Sequence, residues 1–207
     1  MKEKRPYIEG LKAAMKLEVM LGSACERIEI AGSIRRRRAV VGDIELVAIP
    51  RKRWRQALFG EAEEKETWLD MLLRESPAEY QLIQDGPRKK LFLYRGFPVD
   101  LFLTDEAQWG VVYTLRTGSV DFSKWLVTSR LQGGARRVDR FVRGCRVWAM
   151  GEAEPLSTPE EPHVFHALGV PWVPLEMRDR GYWGTDMTSW RPGKRHIGSC
   201  FKKASSV

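Results

Sequence analysis

Residues 31–49 read Ala-Gly-Ser-Ile-Arg-Arg-Arg-Arg-Ala-Val-Val-Gly-Asp-Ile-Glu-Leu-Val-Ala-Ile, and this segment restricts the fold more than any other. Residues two apart on a strand share a face, so the pattern places Asp43 and Glu45 on one side and Ile44 and Leu46 on the other. Two carboxylates held side by side repel unless a cation neutralises them. Hard divalent ions such as Mg²⁺ take oxygen ligands and bridge carboxylates to substrate phosphates, so the pair points to phosphate chemistry. Gly32-Ser33 fits that chemistry, because a flexible glycine and the amides of a following turn can cradle phosphate oxygens. Arg35 and Arg36 add positive charge. Asp-x-Glu alone is more often the solvent face of an ordinary strand; the combination is what sets this segment apart.

The rest of the chain has to supply a core and a partner. With 207 residues, 43% of them hydrophobic, it can bury a core without disulfides or metals, as one sizeable domain or two small lobes. A formal net charge of +8 points to a polyanionic partner, since clustered Lys and Arg release counterions from nucleic acid. Cys25, Cys145 and Cys200 are odd in number and lack Cys-x-x-Cys spacing. Neither a disulfide framework nor a zinc site is indicated, and a reducing, cytoplasmic setting is the simple expectation. Glu9, Lys12, Lys16 and Glu18 interrupt the first apolar segment, which argues against a signal peptide. No run of about 18 apolar residues occurs, so no membrane partner is expected.

Ile8, Leu11, Met15 and Val19 recur at helical spacing and predict an amphipathic helix over residues 6–21, with Pro6 in its first turn and Gly22-Ser23 at its end. Residues 27–31 alternate as a strand leading into Gly32-Ser33, and Pro50 closes the strand that carries the acids. Residues 54–73 predict one or two helices, with Leu58, Trp68, Leu69 and Leu72 facing inward. The period then changes. Residues 80–84, 90–94 and 99–103 read as three strands separated by Asp85-Gly86-Pro87 and Arg95-Gly96, and the third carries Asp100. Residues 120–131 predict a helix bounded by Gly133-Gly134, and residues 136–148 a hairpin or ribbon with a basic face. Thr158-Pro159-Glu160-Glu161 has cap, proline and capping-box character for a helix reaching Leu168. His163 and His166 on that helix have no third ligand at useful spacing and read as surface or packing residues. Residues 179–207, rich in Gly, Ser, Trp, Lys and Arg, read as a flexible terminus rather than a DNA-contacting tail.

Gly32-Ser33-Ile34-Arg35-Arg36 followed by Gly42-Asp43-Ile44-Glu45 resembles the nucleotidyltransferase signature of the polymerase-beta-like DNA polymerase X family. Val99-Asp100-Leu101-Phe102 resembles, in kind and order, the strand that carries the family's third metal-binding acid. Residues 109–123 are similar to the family's entry into its thumb, with Thr117-Gly118-Ser119 at the bend, and residues 160–174 to the thumb's closing segment. The resemblance covers roughly residues 6–178, and the two signature segments are its most specific parts. It implies an α+β (mixed α/β) fold. A nucleotidyltransferase palm with a mixed β-sheet and packed helices would occupy residues 1–104, a small α/β thumb-like subdomain 105–178, and a basic aromatic tail 179–207. On this resemblance, neither a lyase domain nor a helix-hairpin-helix clamp is expected before the palm.

The same resemblance implies a DNA-directed nucleotidyltransferase that adds nucleotides to a primer 3′-hydroxyl, in short-gap filling or DNA repair. Its partners would be gapped or primer–template DNA and a nucleoside triphosphate, and its cofactor two Mg²⁺ ions, with Mn²⁺ as a substitute. Asp43, Glu45 and Asp100 would be the catalytic and metal-binding acids, Asp100 helping to deprotonate the 3′-hydroxyl. Gly32, Ser33, Arg36, Gly42, Gly118, Ser119 and Ser123 would bind the nucleotide: Ser33 and Arg36 its β- and γ-phosphates, Gly118 and Ser119 its sugar and stacked base. Lys124, Arg130, Arg136, Arg137 and Arg140 would contact DNA phosphates. The sequence departs from the family at Glu45, which replaces the usual aspartate, and at Pro98, which replaces an arginine. It departs again at Leu115-Arg116, which replaces an aromatic pair, and at Ser123 and Val127, which replace polar helix residues. These changes predict weak sugar discrimination and low fidelity. Two alternatives remain. One is a template-independent or non-DNA nucleotidyltransferase with an RNA, protein or small-molecule acceptor. The other is a non-catalytic DNA-binding module, against which three retained acids argue because unneutralised like charges cost stability. The oligomeric state is not legible in the sequence.

Overall fold

Alternating apolar residues and tight turns build a sheet around the acid-bearing strand. In the computed structural model, which describes residues 3–55, 63–75 and 80–179, the chain is α+β and divides into two units, Met1–Asp105 and Glu106–Val207. The first unit runs β1 (Arg5–Pro6), α1 (Tyr7–Gly22), β2 (Cys25–Ile30), α2 (Gly32–Arg35), β3 (Val40–Val41) and β4 (Ile44–Pro50). It continues through β5 (Arg53–Arg55), β6 (Glu63–Lys65), α3 (Trp68–Glu75), β7 (Gln81–Asp85), β8 (Lys89–Tyr94) and β9 (Phe97–Leu103). Five strands form one mixed sheet in the order β2-β4-β9-β8-β7, antiparallel except for the central β4–β9 pair. Arg95 and Gly96 both adopt positive φ, 51° and 78°, the two-residue geometry that matches the twist of the β8–β9 hairpin.

One face of this sheet is the core. Ile44, Leu46 and Ala48 of β4, Val99 and Leu101 of β9 and Phe92 of β8 are buried with residues of α1 and α3. The expected helix over residues 6–21 is present as α1, but it turns a different stripe inward. Gly10, Ala13, Ala14, Leu17 and Leu21 are buried, whereas Ile8, Met15 and Val19 are exposed and Leu11 is half-buried. Both stripes have helical spacing; the small one wins because it admits a close approach. A Cβ on Gly10 would overlap the Val41 side chain.

Residues 54–73 correct a second expectation. Among the described residues of this stretch, β5 pairs with β6 as strand and only α3 is helix; Leu58 lies outside the described residues. Thr67 and Asp70 fix where α3 begins. The Thr67 amide and hydroxyl donate to Asp70 Oδ2 at 2.8 and 2.7 Å, and the Asp70 amide donates back to Thr67 Oγ1 at 3.2 Å. That reciprocal cap starts a helix at a point where hydrophobic periodicity alone shows no break. Leu69 and Leu73 are buried, Leu72 packs against the core, and Trp68 is exposed.

Asp70 has a second task. The Lys90 side chain points into the core at 3% exposure, and its ammonium lies 2.5 Å from Asp70 Oδ1 and against Asp85 Oδ1. Burial pushes the Asp70 pKa up, but hydrogen bonds from Lys90 and Thr67 together outweigh it and hold the carboxyl below its ordinary value. Burial likewise lowers Lys90, and the bonds to Asp70 and Asp85 outweigh it to leave the ammonium raised.

The second unit contains α4 (Glu106–Thr117), α5 (Val120–Val127), a 3₁₀ turn (Arg130–Gln132), the hairpin β10 (Arg140–Arg143) and β11 (Arg146–Ala149), α6 (Glu161–Leu168) and a 3₁₀ turn at Leu175–Met177. Val111, Leu115, Phe122, Leu126, Val147, Val164, Phe165 and Leu168 form its core. The helix expected to reach residue 131 ends at Val127, because Thr128 leaves helical geometry at ψ 140°. Leu131 is exposed. The last helix starts later than expected, with Glu160 rather than Thr158 at its cap and Pro162 in its first turn. Thr158 is instead buried, its carbonyl so close to Gly110 that a Cβ there would overlap it. His163 and His166 are exposed. Arg178 is fully buried: Nη1 donates to Glu161 Oε1 at 2.6 Å and Nε to the Val173 carbonyl at 2.9 Å, and Trp172, Phe165 and Phe122 surround its guanidinium. Residues 180–207, most of the expected tail, lie outside the described residues. Among the described residues no helix is long and apolar enough to cross a membrane.

Two stability predictions follow from these ion pairs. Asp70→Asn keeps the shape and removes the charge, and at pH 7 it is expected to cost about 1–3 kcal/mol in urea unfolding. The contribution of a depressed carboxyl is present above its unfolded value and disappears as pH falls through the folded one, so wild type and variant should converge near pH 2. Arg178→Met leaves Glu161 buried without its guanidinium and should cost about 3–5 kcal/mol, with Glu161→Gln in the same chain recovering part of the loss.

Candidate active site

The central parallel pair sets the geometry of the site. Glu45 of β4 and Asp100 of β9 are register partners, and residues opposed in register on neighbouring strands project to the same face. Their neighbours Ile44, Leu46, Val99 and Leu101 are buried on the opposite face, which fixes the acids on this one. The Asp100 side chain is only 15% exposed, so its charge is held largely out of water. Asp43 and Gly42 form the bend between β3 and β4. The strand begins at Ile44, so Asp43 precedes it instead of lying on it as the alternation implied.

The Gly-Ser segment meets the same strand end. The Ala31 amide donates to the Glu45 carbonyl at 2.8 Å, which ties the start of α2 to β4. Gly32 has φ +61°, and a Cβ there would overlap the Glu45 carboxylate. Only glycine satisfies both the left-handed backbone and the close approach. The Ser33 hydroxyl is buried and makes no hydrogen bond. Arg36 caps α2, its amide donating to the Gly32 carbonyl at 3.2 Å, and the Arg38 amide donates to the Ser33 carbonyl at 3.0 Å. The basic run thus wraps back onto the turn that carries Gly32 and Ser33.

Sequence reasoning missed Lys89. Its ammonium lies 2.6 Å from Asp100 Oδ1 and 5.4 Å from the centroid of the Phe102 ring. The signal was in the hairpin register: with Tyr94 opposite Phe97, counting back places Leu91 opposite Asp100 and Lys89 opposite Phe102. The alternation of β8 then sends Lys89 toward the acid face and Lys90 into the core. Among the described residues no group of three or more His, Cys, Asp or Glu side chains stands arranged to hold a metal ion. The donors at this face are nonetheless of the kind a hard divalent cation takes, carboxylate oxygens from adjacent strands. A cationic group already rests on Asp100, in the form of the Lys89 ammonium.

The remaining candidates lie in the second unit and are largely occupied in shaping it. Ser119 caps α5, its side chain accepting from the Phe122 amide at 3.2 Å, and Ser123 Oγ donates to the Leu115 carbonyl at 2.7 Å. A Cβ on Gly118 would overlap Phe122. Arg130 donates to the carbonyls of Ala135 and Gly169, and Arg136 to those of Val127, Arg137 and Arg140. Arg137 and Arg140 both pair with Asp139, and Arg140 also donates to the Ala167 carbonyl. Lys124 is half-buried in the last turn of α5.

No protein-family model matches the sequence, and no curated protein matches it. The local geometry separates the two residues of the Gly-Ser turn. Gly32→Ala should lower stability by about 1–3 kcal/mol, since it combines a strained φ with displacement of Glu45. Ser33→Ala should leave stability unchanged or raise it slightly, because it deletes a buried hydroxyl that has no partner. Urea midpoints of the two variants test the contrast.

Proposed function

We propose that the chain is a nucleotidyltransferase of the polymerase X kind, adding nucleotides to a DNA primer 3′-hydroxyl on gapped or primer–template DNA. The observation that carries this reading is the pairing of Glu45 with Asp100 across parallel strands, with Gly32 packed on the Glu45 carboxylate. Acids far apart in sequence thereby share one face. In the proposed reaction the 3′-hydroxyl oxygen attacks the α-phosphorus, the bond to the bridging oxygen of the β-phosphate breaks, and pyrophosphate departs. Asp43, Glu45 and Asp100 are the residues proposed to hold two Mg²⁺ ions, which when bound would acidify the hydroxyl and neutralise charge on the leaving pyrophosphate. Asp100 is the candidate to accept the hydroxyl proton. The Ser33 hydroxyl is a natural donor to a phosphate oxygen, being buried and uncommitted. Gly42 and Arg36 complete the nucleotide contacts proposed for the first unit. A reducing cytoplasmic setting belongs to the same reading; Cys25 is a free, buried thiol, pushed up to about 12 by burial despite nearby Arg51, and is therefore unreactive.

A second reading, transfer to an RNA, protein or small-molecule acceptor, is favoured by one observation. Four of the five residues assigned to DNA phosphates already donate to the chain's own carbonyls or to Asp139. Extension assays with labelled nucleotides on gapped, recessed and single-stranded DNA separate the readings. The first expects Mg²⁺-dependent incorporation, use of ribo- and deoxyribonucleotides at comparable rates, and a loss of about a thousandfold or more in Asp100→Asn with DNA binding retained. Incorporation that survives Asp100→Asn, or that needs no divalent ion, would contradict it. A strong preference for deoxyribonucleotides would remove the claim of weak sugar discrimination.

A further inference from the structure

We propose that Lys89 is a positioning residue that acts as an internal counter-ion for Asp100, competes with a divalent cation for that carboxylate, and so sets the cation affinity of the site. The inference rests on the reading of Glu45 and Asp100 as a cation-binding pair.

The two adjacent lysines of β8 make the argument by contrast. Lys90 is 3% exposed and ion-paired to two carboxylates, so it is part of the core. Lys89 is 37% exposed and pairs with one carboxylate, that of Asp100, at 2.6 Å. Lys89 is the exposed end of this pair, so its ammonium has water to move into while Asp100 stays fixed on its strand. The ammonium also lies over the Phe102 ring, 5.4 Å from its centroid, so a partner on the same face remains when the ion pair opens.

Charge balance supplies the direction. Asp100 is opposed by Glu45 on one neighbouring strand and by apolar Leu91 on the other, with Lys89 diagonal to it. Without a divalent ion, the ammonium neutralises Asp100. A divalent cation competes for the same Asp100 oxygens and is repelled by the ammonium until that group withdraws. Lys89 therefore weakens the binding of the cation that replaces it.

Mn²⁺ titration of the full chain without nucleotide, followed by electron paramagnetic resonance, tests this. Lys89→Met and Lys89→Gln should each bind Mn²⁺ about threefold to tenfold more tightly than wild type. Lys89→Arg, which keeps the charge, should stay close to wild type. So should Lys16→Met, which removes a charge from the exposed face of α1. Two variants at the same position guard against a folding defect in one, and urea midpoints near wild type confirm that each is intact. Unchanged or weaker Mn²⁺ binding in both neutral variants overturns the proposal. Asp100→Asn distinguishes the two levels of argument. If it abolishes Mn²⁺ binding while the Lys89 variants are neutral, only the role of Lys89 fails; if it leaves Mn²⁺ binding intact, the cation site is elsewhere and the functional reading fails with it.

Discussion

The hydrogen-bonded parallel pairing of β4 with β9 is the constraint on which the rest of the first unit depends. Parallel neighbours cannot be joined by a tight turn, so the chain must leave the sheet after β4, pass through the β5–β6 hairpin and α3, and re-enter through β7 and β8. What that excursion achieves is register. A slip of one residue in β9 would turn Asp100 into the core and take Val99 and Leu101 out of it, so burying those two residues is what fixes the acid beside Glu45. The position of the carboxylates is thus a by-product of hydrophobic alternation.

Among the described residues, several charges are paired within the chain. Lys90 neutralises two acids around the core, Lys89 one acid on the opposite face, and Arg178 one buried acid in the second unit. Much of the basic character of residues 130–140 goes into holding carbonyls of the chain itself. The net charge of +8 therefore overstates the positive surface free to meet a polyanion in these segments.

The sheet was largely legible in the sequence because period-two alternation and the turns at Asp85-Gly86-Pro87 and Arg95-Gly96 are local signals. The shared face of Glu45 and Asp100 follows from the same alternation, whereas Asp43 falls in the bend before β4. What could not be read locally was which of two competing patterns burial would select. Residues 7–22 carry two helical stripes, and the one with glycine and alanine was chosen because only it lets the helix approach Val41. Residues 53–55 and 63–65 are charged enough to pass for helix, and strand pairing overrode that preference. Thr158 has the chemistry of a cap, yet packing against Gly110 draws it inside and leaves the cap to Glu160. Lys89 escaped notice because its importance lies across the hairpin from Asp100, in a register that the sequence encodes only once the turn is placed.

The central claim is that Asp43, Glu45 and Asp100 form one cation-dependent site for a nucleoside triphosphate. Anomalous diffraction from crystals grown with Mn²⁺ and a non-hydrolysable deoxynucleoside triphosphate measures this most directly. The account predicts Mn²⁺ peaks within ligand distance of Glu45 and Asp100, with the triphosphate over Gly32 and Ser33. Peaks that lie elsewhere, or a triphosphate bound away from these residues, would contradict it.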